Sequence, residues 1–259
     1  MTARTTIGRR ERDAFAAHAH AAAVRRVTRT VAVAMLFVGS MFWGVYALIT
    51  VALPLVVNAS GGVLGGGAMT GNEYASRWFA FSLGIVMITA LVVNHLAAGG
   101  TRRALLSGSI RAAAVTGVVF GAAASALLMV EQAIFGAMGW QWDQLGSALG
   151  THNTWILVTA AAEALAVVVY SLVGMAVAAG YYTAGVWRGT LLVLPGLVLL
   201  MLADATTRTG AGDDALTALL GDAMPTSPAV GFGAALVVLA LAAGWFWWQL
   251  RTVTLRPAR

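Results

Sequence analysis

Residues able to do chemistry are few in this chain and far apart. Its 259 residues include ten acids and four histidines but no cysteine, which removes thiolate nucleophiles, disulfides and thiolate metal sites. Two of the acids fall inside apolar runs: Glu163, about a third of the way through one, and Glu131, near the end of another. A carboxylate in hydrocarbon costs about 2.5–3.5 kcal/mol on insertion scales, so it faces a partner or a cavity. For Glu163 the readings are contact with a cationic substrate, a proton relay, a helix-packing hydrogen bond, or a protonated acid close enough to the outer interface to be wetted. Glu131 reads as an interfacial acid. His95, after Asn94 at the end of a third apolar run, either takes a specific role, caps its helix or meets headgroups. No metal-ligand set gathers around any of the histidines.

The constellations that intramembrane enzymes need are missing from the sequence. There is no Gly-x-Ser-Gly with a later membrane histidine, no His-Glu-x-x-His and no pair of mid-span aspartates; after His95 the remaining histidine is His152. Nor is there a Gly-x-x-x-x-Gly-Lys-Ser/Thr phosphate loop. The chain therefore reads as neither an enzyme nor a nucleotide binder, and no cofactor is expected in it.

The elements that position these residues follow from composition. The chain is 59% hydrophobic and 10% charged, with a mean hydropathy of +0.82. A soluble domain carries about a quarter charged residues, so this is read as an all-α, polytopic membrane protein. Six apolar segments are expected to span: Val31–Val56, Trp78–Ala98, Ala112–Ile134, Trp155–Ala179, Thr190–Ala203 and Ala229–Leu250. Most reach the roughly 20 residues that cross a bilayer. The fifth is short and contains Pro195-Gly196, which predicts either an extension from Trp187 and Gly189 or a bent helix. Residues 1–30 form a basic segment in which Phe15, several alanines and Val24 suggest an interfacial helix, the alternative being a disordered basic tail. Residues 31–250 make the membrane domain and 251–259 a short tail.

Every one of the 16 basic residues is arginine. With the N-terminus inside, fourteen arginines fall on the inner side and two, Arg77 and Arg208, in outer loops. Short loops rich in arginine stay in the cytoplasm, so both termini are placed there. The acids Glu73, Asp143, Asp204, Asp213, Asp214 and Asp222 all fall outside. In the last outer loop, Asp213-Asp214 precede Leu216, Leu219 and Leu220 at helical spacing, which predicts a short amphipathic helix between spans five and six. Trp140, Trp142 and Trp155 suit an aromatic belt. Gly117, Gly121 and Ser125 make a small-residue face on span three, as Gly174 and Ala178 do on span four. These faces suit either close packing within the chain or a dimer seam.

The inner hairpin Asn94–Arg111 holds the most distinctive run, Gly99-Gly100-Thr101-Arg102-Arg103 followed by Gly108. It looks longer than a minimal turn, and Arg103 to Ile110 is expected to form a short helix across it. This run and the six-span layout resemble the permease subunits of ABC-2-type (type V) exporters of Gram-positive and actinobacterial type. The resemblance implies that the hairpin is a coupling helix docking a separate ATP-binding subunit, which would hold the Mg-ATP. It further implies a second permease copy or paralogue, an amphipathic or hydrophobic substrate (drug, peptide antibiotic or lipid), and residence in the bacterial cell membrane. Membrane lipid, rather than nucleic acid, is the partner expected for the other arginines. Two alternatives stay open: a non-transporting assembly or immunity factor, and an intramembrane enzyme lacking any recognised constellation.

Overall fold

The computed structural model describes residues 2–67, 69, 72–142, 156–207, 218 and 228–253. Apart from a few connecting residues, the described residues are helical. They form α1 (Thr2–Ala59), α2 (Asn72–Ala97), α3 (Arg102–Met138), α4 (Ile156–Leu191), α5 (Val193–Thr207) and α6 (Pro228–Arg251). Five of these, all but α5, are long and apolar enough to cross a membrane, compatible with a multi-pass membrane protein. Their outward faces carry Phe37, Leu48, Val118, Leu157, Leu236 and Trp248, all exposed. An apolar exterior of this extent suits lipid rather than water.

Helix α4 is the centre of the bundle. It packs against α2, α3, α5 and α6, while α1 lies mainly along α3. Every residue from Ala166 to Gly180 is buried, because neighbours surround α4 on all sides. Small residues make those approaches possible. Gly84 of α2 faces the Ser171 carbonyl of α4, and Gly174 of α4 faces the Phe81 carbonyl of α2; a Cβ at either position would overlap backbone. Gly117 and Gly121 of α3 likewise lie against Ala164 and Ala160 of α4. The small-residue faces of spans three and four therefore serve packing within the chain. Gly39 of α1 receives the Phe120 ring of α3, whose other neighbours include Trp43 at 5.6 Å between centroids.

Three expectations are corrected. The basic N-terminal segment is not a separate interfacial helix: α1 runs unbroken for 58 residues, roughly 87 Å at about 1.5 Å per residue. No glycine, proline or capping turn interrupts residues 14–30, so the helix continues into the apolar run. Its residues Arg10 to His20, Phe15 included, are all exposed. Second, Arg103–Ile110 is not a helix lying across the hairpin but the first turns of α3. The fifth apolar segment, for which an extension or a bend was expected, contains the 15-residue α5, about 22 Å long, by itself short of the roughly 30 Å hydrocarbon thickness. It begins after a break at Leu192, three residues before Pro195, whose missing N–H removes one helical bond. Just upstream, Gly185 inside α4 adopts φ 75° and ψ −178°, so the chain changes direction there before α5 starts.

The third concerns Arg77 and Asp204, described below. The amphipathic helix expected around Asp213–Leu220 lies outside the described residues, apart from Ala218, as do Asp143, His152, Trp155, Arg208 and Asp222.

Candidate functional site

Two clusters of polar residues stand at opposite ends of the bundle. At one end α2 turns into α3 through Ala98 to Thr101. Gly99 takes a left-handed φ of 80°. Its N–H donates to the Leu96 carbonyl at 3.1 Å, and the Gly100 N–H donates to the His95 carbonyl at 2.8 Å. This is a Schellman closure, which glycine adopts without the Cβ penalty. Thr101 then caps α3: its side-chain oxygen accepts from the Ala104 N–H at 3.1 Å, the usual N-cap arrangement. The His95 ring lies against Gly100, and its Nε2–H donates to the Thr101 carbonyl at 3.2 Å. His95 therefore serves the turn itself. Four residues, Ala98 to Thr101, thus close the corner with no loop to spare.

The two arginines of this corner differ. Arg102 donates from Nη2 to the Val253 carbonyl at 2.7 Å, tying the start of α3 to the end of α6. Arg103 is exposed. Both, with Trp247 and Arg251, line one surface depression beside the corner. Gly108 lies one and a half turns further on and serves a different contact. Its missing side chain admits Val27 of α1, and its carbonyl accepts from Thr28 Oγ1 at 3.3 Å.

At the opposite end the structure assembles an ion cluster that hydropathy did not reveal. Arg77, read from sequence as a loop residue, lies on α2 and is buried. Its Nε and Nη2 donate to Glu163 Oε2 of α4 at 3.0 and 2.7 Å, and its Nη1 donates to Asp204 Oδ1 of α5 at 2.9 Å. The three side chains are 2%, 6% and 5% exposed. Ser76 Oγ donates to Glu163 Oε1, and the Tyr170 hydroxyl lies 3.0 Å from each Asp204 oxygen. Buried charges persist only when paired and hydrogen-bonded, and here both carboxylates meet one guanidinium. Among the described residues, α2 and α5 do not pack directly, so Arg77 joins them past α4.

Arg77 and Asp204 were missed because each sits one residue beyond an apolar run, before Trp78 and after Ala203. A signal was present in the charge count. Arg77 is one of two arginines that the sequence reading assigns to the acidic loops, and an isolated opposite charge at a span boundary is a pairing candidate.

Glu131, expected near the end of its span, is buried at 2% exposure. Its carboxylate accepts from the Met69 backbone N–H at 3.1 Å and from Trp142 Nε1 at 3.3 Å. Gly67 lies so close that a side chain there would overlap the carboxylate. Glu131 therefore holds the α1–α2 connection down on the bundle. The structure brings Glu131 and Glu163 to the same end but into separate networks, and it places His95, Arg102 and Arg103 at the other.

Among the described residues no three acids or histidines gather closely enough to hold a metal ion. Compared with protein families, with curated proteins and with solved structures, the chain matches none.

Proposed function

We propose that the chain is the membrane-spanning permease subunit of an ATP-driven exporter, with ATP hydrolysed on a separate subunit. The observation that carries this reading is the closed corner Gly99–Arg103, with Arg103 exposed. A subunit without a nucleotide site must receive force through a rigid element of defined shape. A Schellman closure followed directly by an N-cap supplies that rigidity, and arginine supplies a partner for carboxylates on the ATPase.

In this reading the arginine-rich end faces the cytoplasm, the chain sits in a bacterial plasma membrane, and α5 with the last turns of α4 makes the sixth crossing. Two permease copies would pass an amphipathic or hydrophobic substrate. Docking would act directly on the end of α3, since no separate coupling helix intervenes.

The test is co-purification in detergent with an ABC ATPase encoded beside the gene, comparing the native chain with Arg103→Glu. A stable complex disrupted by the reversal, with unfolding temperature unchanged, supports the reading. Failure of the native chain to hold that ATPase overturns it. A complex whose ATPase activity never responds to any amphipathic substrate in liposomes would instead favour a non-transporting membrane factor.

A further inference from the structure

Three arginines of α1 have a setting that neither the corner nor the ion cluster explains. Arg25, Arg26 and Arg29 are all exposed and stand at the junction between the polar and apolar halves of a continuous helix. They border an open groove whose other walls are Thr30, Val33, Ala34 and Phe37. The register accounts for it. Arg25, Arg29, Val33 and Phe37 follow one another at intervals of four, as do Arg26, Thr30 and Ala34 beside them, so two parallel ridges run along the helix. Each ridge begins with guanidinium and ends in hydrocarbon.

Among the described residues no acid pairs with the charged end. Glu11 and Asp13 are the only acids before residue 73, and Asp13 is twelve residues from Arg25, roughly 18 Å along the helix, beyond the ~8 Å screening length at physiological salt. The other segments at this end, residues 94–111, 181–192 and 245–253, contain arginine and no acid. The opposite face of α1 is taken: Val24, Val27 and Val31 are buried, and Thr28 reaches Gly108. The groove therefore stays open while the helix behind it is fixed against α3.

We infer that this groove is a binding site for an anionic phospholipid, its phosphate held by Arg25, Arg26 and Arg29 and its acyl chain laid along Val33 and Phe37. Guanidinium groups recognise phosphate oxygens in a forked geometry, and each basic residue near an anionic surface adds attraction. An acidic protein surface would satisfy the arginines but not engage Val33 and Phe37, which face the hydrocarbon of the membrane. An amphipathic anion uses both ends of the groove. The inference rests on the membrane reading of the chain and is independent of ATP-driven transport.

The experiment is native mass spectrometry of the full chain in detergent, titrated with dioleoyl-phosphatidylglycerol or dioleoyl-phosphatidylcholine. We expect retention of the anionic lipid about tenfold above the zwitterionic one, lost in Arg25→Gln/Arg26→Gln/Arg29→Gln. A control neutralising Arg103, Arg111 and Arg188 should leave the preference unchanged, and glycerol phosphate, which lacks acyl chains, should not be retained. A lysine triple variant, which keeps charge but loses the fork, should retain the lipid at reduced occupancy. Equal loss in the control variant would reduce the effect to general surface charge and overturn the site. Equal retention by the glutamine variant would overturn it too, as would glycerol phosphate binding as well as lipid. If the glutamine variant keeps the lipid preference but releases the ATPase, the occupant is protein and the inference fails while the exporter reading stands.

Discussion

Arg77 of α2 meets Asp204 of α5 at 2.9 Å although the two helices do not pack on one another. The guanidinium spans the gap, and the carboxylate of Glu163 on α4 completes the link. Three helices are thus held at one end by a single side chain. Removing one member of a buried pair leaves the others desolvated, at a cost of about 3–5 kcal/mol. Arg77→Ala should lower the unfolding temperature in detergent sharply, whereas Arg77→Met with Glu163→Gln and Asp204→Asn should lose far less. Equal losses in the two would mean that the cluster is not a charge-paired unit.

Arg77→Lys separates charge from geometry. Lysine keeps the charge but cannot reach Glu163 and Asp204 together through a planar fork. Its stability should fall between native and Arg77→Ala. Crosslinking between cysteines introduced near the Arg77 end of α2 and the Asp204 end of α5 should rise in variability as that tie weakens.

Gly84 and Gly174 let α2 and α4 approach at backbone distance. A leucine at either position must push the helices apart, and overpacking typically costs about 1–3 kcal/mol or more where backbone has to move. Gly84→Leu should therefore broaden the size-exclusion profile and lower the unfolding temperature. Gly233→Leu serves as the control, because a Cβ at Gly233 meets nothing within 4 Å.

Glu131 holds the α1–α2 connection through the Met69 N–H and the Trp142 indole. Glu131→Leu leaves both donors without their acceptor, so residues 60–67 should become accessible to limited proteolysis. Glu131→Gln keeps an acceptor oxygen and should protect the segment nearly as well as the native residue. Cleavage rates that match in the two variants would rule out this anchoring role.

At the opposite corner, Thr101→Ala removes an N-cap worth about 0.5–2 kcal/mol, and Gly99→Ala strains a left-handed residue. Both should lower thermal stability modestly, by an amount that Arg103→Glu does not share. Arg102→Glu should do more than Arg103→Glu, since it also breaks the bond to the Val253 carbonyl. Arg102 and Arg103 are therefore not equivalent, though adjacent.

Much of this arrangement was legible in composition and spacing. Long apolar runs mark five of the helices, and the glycines on α3 and α4 mark the faces that pack. Gly99, Gly100 and Thr101 announce a helix end and a helix start, but their tightness was not visible. A Schellman closure and an N-cap can share adjacent residues, and a count of residues between apolar runs overestimates the loop. The ion cluster was least legible, because hydropathy assigns a charged residue at a run's edge to the neighbouring loop. Only the third dimension shows that the edges of α2 and α5 and the body of α4 meet at one level. Glu163 was readable as a residue needing a partner, but which residue supplied it was not.

Gly185 bears on the handedness of the chain. Its φ of 75° with ψ of −178° lies in a region essentially closed to L-residues other than glycine. The mirror image of that conformation is ordinary extended backbone. A D-alanine placed there by semisynthesis would adopt it readily, whereas an L-alanine would have to redirect the chain entering α5. The path from α4 to α5 thus depends on one achiral residue, and stereochemistry alone would decide whether Asp204 still reaches Arg77.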